Sequence, residues 1–219
     1  SPLFPLLIIL MVNLSVQFGN SPISTFGYTN YGILLCNLMK DIPRADEFRK
    51  LAYKLAMEPE SKPFRAGTLT GIGIFLLHRT SHLKETIPLL QSGFQLGLET
   101  GALEIIGYTG YAISLNSFWT GEPLKQLRLK ITSYRDTLQN LNQLTGAIYC
   151  NIFLETTLSL LSSKDQELSN NPEFFKNDEF ILKETKSSGD RTRLFYFYLQ
   201  ALSLNFIFYT YMTAHLRRF

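Results

Sequence analysis

Residues Gly27–Leu35 read GYTNYGILL, and eighty positions later Gly107–Leu115 read GYTGYAISL. A chain that writes one local pattern twice must place it twice in comparable surroundings, and periods of about 20–50 residues mark arrays of small stacked units. The half-spacing carries a third copy. Gly27, Gly67 and Gly107 stand at steps of forty, as do Tyr31, Gly71 and Tyr111, and Leu35, Phe75 and Leu115.

A second apolar face follows each of these segments. Ile87, Gln91, Phe94 and Leu98 match Leu127, Ile131, Tyr134 and Leu138 at intervals of four, three and four, which is one side of a helix. In the first unit the equivalent face is Phe48, Leu51, Ala52 and Leu55, one residue out of step. Turn chemistry separates the members of each pair, at Asp41-Ile42-Pro43, Thr80-Ser81-His82 and Gly121-Glu122-Pro123. Gly93 and Gly97 are placed for a close helix crossing, and Gly101 for a helix stop.

These patterns predict an all-α fold, a superhelical array of antiparallel helix hairpins of the tetratricopeptide kind with a repeat of about forty residues. The whole chain, 1–219, is read as a single helical-repeat region. Its start at Ser1 and its end at HLRRF are read as the limits of a fragment of a longer protein. A fourth unit opens near Leu144. Its second helix is displaced by a long polar connection, 162–190, with a short helix expected near Asp178–Lys183. The last helix is expected from about Asp190, a good N-cap residue, to about Tyr211.

The composition narrows the class further. The chain is 45% hydrophobic with a net charge of only +3, so it can bury a core and lacks the basic stripe of a nucleic-acid binder. Cys36 and Cys150 lie in apolar helical stretches and are expected as buried free thiols. The sequon at Asn13–Ser15 has no secretion signal to support it. No charge occurs before Lys40, but Leu3–Val16 and Phe26–Met39 are short and interrupted, and both are expected as buried helices. The strongest transmembrane stretch is Leu194–Met212, where Gln200 and Asn205 argue for a buried protein helix instead.

Four phrases carry a family resemblance: PLFPLLIILMVNLSVQFGNSPISTFGYTNYGILLC, LKETIPLLQSGFQLGLETGALE, NSFWTGEPL and DRTRLFYFYL. Together they resemble the tetratricopeptide-like helical region of large multidomain signalling proteins of the cyanobacterial type. Such proteins carry a serine/threonine kinase, an AAA-type ATPase, this helical region, a GAF domain and a sensor histidine kinase. The family's His-Trp-Lys-x-His appears here as HRTSH, with both histidines, His78 and His82, kept and Arg79 in place of the tryptophan. The resemblance implies a cytoplasmic, non-catalytic interaction or coupling segment. Its partners would be proteins or neighbouring domains of the same chain, and membrane contact is not expected.

The sequence holds no G-x-x-x-x-G-K-[ST] phosphate loop and no kinase set of glycine loop, H-R-D and D-F-G. No catalytic, cofactor or metal residues are therefore assigned. His78 and His82 are the one pair with ligand spacing, and they carry the alternative of a stand-alone metal enzyme. A membrane-associated helical segment is the other alternative. The G-x-G of GTLTGIGIF reads as helix packing. The carboxylates Asp41, Glu85, Glu99, Glu104, Glu155 and Asp165 are scattered, and Arg128, Lys130 and Arg135 read as a solvated helix face. Because nothing charged covers the first helix, the isolated segment is expected to self-associate, with Ile8 and Met11 as candidates for the outward face.

Overall fold

The computed structural model describes residues 3–162 and 189–216. Among these the chain forms nine α-helices, packed as sequential antiparallel neighbours. They are α1 (Leu3–Phe18), α2 (Ser24–Leu34), α3 (Ile42–Ala56), α4 (Lys62–Gly71) and α5 (Thr86–Thr100). The rest are α6 (Leu103–Trp119), α7 (Leu124–Asn140), α8 (Leu144–Ser162) and α9 (Arg191–Leu216). The helix expected near Asp178–Lys183, and Asp165, lie outside the described residues.

Local chemistry sets the helix ends. Gly19 ends α1 with φ 96°. Asp41 caps α3, its Oδ1 accepting the backbone N–H of Arg44 at 3.1 Å, with Pro43 in the first turn, where a missing N–H costs nothing. The last carbonyls of α3 are satisfied from outside the helix. The Arg65 guanidinium donates to Ala56 O at 2.6 Å, Met57 O at 3.1 Å and Glu58 O at 3.0 Å. Gly101 stops α5 with φ 70°, as its position in the sequence predicts. Asp190 opens α9, accepting from Arg193 N at 2.9 Å. The helix continues to Leu216, beyond the expected end at Tyr211.

Two helices do not end as regular α-helix. α2 widens into a π-turn at Leu35–Met39, closed by Lys40 at φ 58°. α4 widens at Ile72–Leu76 and then tightens to a 3₁₀ turn at Leu77–Arg79. A π-turn inserts residues without advancing the helix face, so a fixed forty-residue step loses its phase there. Leu35, Phe75 and Leu115 show the result: Leu35 is buried, Phe75 is 45% exposed and Leu115 is half-buried.

Even-numbered helices touch not only their chain neighbours but one another, α2 with α4, α4 with α6 and α6 with α8. Small and hydroxyl-bearing residues hold these contacts. A Cβ added at Gly146 of α8 would fall 2.6 Å from the Gly107 carbonyl oxygen of α6, so the two backbones cross in direct contact. Thr70 of α4 and Thr109 of α6 share a buried hydrogen bond of 2.8 Å. Gly93 packs on Ala66 and Thr70 of α4, and Gly97 on Ile106 of α6, in the close approach their spacing predicts. Gly67 is looser, with the tip of Ile105 at 3.7 Å from its notional Cβ.

The apolar residues gather in two cores. Val12, Tyr28, Leu35, Cys36, Ala52, Ile72 and Leu76 join α1 to α4 and its π-turn. Leu90, Phe94, Ile106, Ile113, Leu127, Ile131, Leu138, Cys150 and Phe153 join α5 to α8. On α5 the buried face is Ile87, Leu90, Gly93, Phe94 and Gly97, while Gln91 and Leu98 look outward, so the expected face is rotated. Among the described residues, the one helix long and apolar enough to cross a membrane by length and composition is α8, over Leu144–Leu161, of which 44% is buried in the fold. It displaces Leu194–Met212 from that place, where polar side chains dilute the apolar ones.

Candidate interaction surfaces

The histidine pair does not share a helix face. His78 sits half-buried in the 3₁₀ turn, and burial and then the Arg79 charge lower its pKa. His82 lies beyond the turn at Thr80-Ser81, exposed, its Nδ1 accepting the backbone N–H of Lys84 at 3.0 Å. It is the cap of the 3₁₀ turn Leu83–Glu85. No group of three or more His, Cys, Asp or Glu side chains able to hold a metal occurs among the described residues. The same turn is anchored to α3. Thr80 donates to Asp46 at 3.1 Å, and Asp46 also pairs with Arg49 at 2.6 Å and Lys50 at 2.8 Å. Burial raises the Asp46 carboxyl, but these hydrogen bonds and charges outweigh it and bring it down to about 2.

The basic trio of α7 is divided by its partners. Lys130 Nζ lies 2.5 and 2.6 Å from the two Glu122 oxygens and is partly buried beneath the α6–α7 turn. Arg135 pairs with Asp136 at 2.7 Å, and Arg128 is exposed. Both cysteines are free and buried. Burial pushes the Cys150 thiol up to about 11, with Ser114 Oγ at 3.4 Å, so it packs as a small apolar group and is not a thiolate at neutral pH.

A cradle that sequence reasoning missed lies where α9 meets α6 and α8. Tyr111 of α6, Tyr149 of α8 and Tyr196 of α9 contact one another through their rings at centroid distances of 5.3, 6.1 and 5.7 Å, and Phe153 reaches Tyr196 at 5.8 Å. These are attractive aromatic separations. Burial, followed by the Tyr196 neighbour, raises the Tyr111 phenol, and burial raises that of Tyr196. Tyr149 bonds both Asp190 oxygens at 3.1 Å, and burial followed by that carboxylate pushes it up to about 12. All three phenols are raised and stay protonated at neutral pH, and the ring contacts together with the Tyr149–Asp190 hydrogen bonds fasten α9.

Polar groups of α9 do not all share in that fastening. Gln200 is 3% exposed, and neither its Nε2 nor its Oε1 has a hydrogen-bond partner. Opposite this buried side, Phe195, Tyr198, Leu202 and Phe206 are 45–71% exposed. Leu202, Ser203, Phe206 and Ile207 also line an open recess against Trp119.

The other terminal helix shows the same division. On α1 only Ile8 and Val12 are buried, while Met11 packs on Gly27 of α2. Leu3–Val16 is therefore not a buried helix, and the outward face is not at Ile8 and Met11. An unbroken apolar run has no phase to read, so the sequence could not say which side turns in. Leu3, Leu6, Leu7, Leu10 and Leu14 face outward, 46–64% exposed.

No family model, curated protein or solved structure matches this chain.

Proposed function

We propose that the chain is a non-catalytic interaction and coupling segment, a helical-repeat array of the tetratricopeptide kind inside a larger cytoplasmic signalling protein. The observation that carries this reading is the continuous row α2–α4–α6–α8, flanked by α3, α5 and α7. The first residues of that row, Ser24, Lys62, Leu103 and Leu144, support a repeat of about forty residues, with intervals of 38, 41 and 41. Stacked pairs of this kind present long surfaces for binding, and α9 already seats an aromatic helix on one such surface. The resemblance to kinase, ATPase and GAF signalling proteins supplies the context, in which a partner or neighbouring domain on this surface biases an enzyme elsewhere in the chain. Titration of the purified chain with ATP in a calorimeter tests the non-catalytic part. No heat of binding is expected, and micromolar binding would overturn the reading.

A further inference from the structure

We propose that α1 pairs with α1 of a second copy of this chain through a leucine seam. Leu3, Leu7, Leu10 and Leu14 follow one another at intervals of four, three and four, so Leu3 and Leu10, and Leu7 and Leu14, are each seven apart. This is the a/d spacing of a coiled-coil seam, narrower than the apolar face of a core-packing helix. At about 100° per residue these four fall within roughly 60° of one another, on the side opposite Ile8 and Val12. All four are exposed, whereas Ile8 and Val12 are 1% and 7% exposed against α2.

Three features point to a like partner. The seam is leucine throughout, so an identical face supplies the complementary knobs and holes. The chain carries no charge before Lys40, so α1 sets no electrostatic condition that its own copy fails to meet. Leu3, Leu6, Leu7, Leu10, Leu14 and Phe18, each 46–75% exposed, offer roughly 500–600 Å² per copy, which in a symmetric pair reaches the lower bound of about 1,000 Å² for a specific interface. Two heptads alone make a marginal helix, but α1 is already folded on α2, so pairing carries no helix-ordering cost. Isologous contact closes at two copies.

Sedimentation of the 219-residue chain across about 1–100 µM, a range chosen to bracket modest protein affinities, tests the pairing. A monomer–dimer equilibrium is expected. Leu7→Glu with Leu10→Glu should weaken dimerisation at least tenfold while the far-ultraviolet dichroism stays unchanged. Val16→Glu is the control, because Val16 is 74% exposed but lies about 150° from the seam centre, and it should leave the dimer intact. Leu202→Glu on the outward face of α9 should do the same. As a route independent of the glutamate variants, Leu10→Cys should cross-link pairs of chains on mild oxidation, and Val16→Cys should not. A wild-type chain monomeric throughout, species growing past the dimer, equal loss with Val16→Glu, or sedimentation with neutral phosphatidylcholine vesicles in place of dimerisation would each overturn the proposal.

Discussion

At Gly146 the fold depends on a missing side chain. An added Cβ there would meet a backbone oxygen, which cannot swing aside as a side-chain tip can. Gly146→Ala should therefore force α8 away from α6 and cost about 1–3 kcal/mol. Gly67 is the contrast, since its notional Cβ meets only ordinary contact with Ile105. Gly67→Ala should be neutral or stabilising by up to about 1 kcal/mol, because alanine is the better helix former. Urea melts of the two variants decide it, and equal midpoints would remove the close-crossing account. The sequence marked Gly93, Gly97 and Gly101 well, because their spacing is local. It passed over Gly146, whose partner Gly107 lies in another helix. Tyr111, Tyr149 and Tyr196 escaped it for the same reason: nothing local in three distant tyrosines announces that they meet.

Among the elements, α9 has the least settled interface. Its N-cap was legible, because Asp190 precedes an apolar helix in the manner of a capping residue. Its docking was not, because aromatic residues surround the helix and mask the buried stripe. That stripe holds Tyr196, Gln200 and Leu204 at intervals of four, with Gln200 unsatisfied at its centre. A buried amide without partners costs about 1–3 kcal/mol for each unpaired group, so Gln200→Leu should stabilise the chain by roughly 1 kcal/mol or more. Thermal denaturation measures this, and a lower melting temperature would mean that the amide is bonded in solution. The π-turns are the other lesson at this scale. They follow α2 and α4 directly, and they explain why the exact forty-residue echo of Leu35, Phe75 and Leu115 does not keep one environment. Helix identity survived that drift, but helix phase did not.

For the molecule as a whole, an all-helical chain of sequential antiparallel pairs was legible from apolar periodicity and turn residues, because both are local signals. Surfaces were less so. Arg128, Lys130 and Arg135 read in sequence as one solvated helix face, and the fold divides them by pairing Lys130 with Glu122 and Arg135 with Asp136. The apolar surfaces of the end helices emerged only with the packing, α1 turning its leucines outward and α9 its Phe195–Phe206 stripe. The central proposal is that the α9 surface and the α6–α8 face serve contacts with other parts of a longer signalling protein, while the α1 leucines serve the pairing of copies. Hydrogen exchange measured on the 219-residue chain alone, and on the same residues within the proposed longer protein, tests it most directly. The account predicts added protection in α9 around Tyr198–Phe206 and along α6 and α8 in the longer protein, with α3 and α5 unchanged. Identical exchange in the two settings would contradict it.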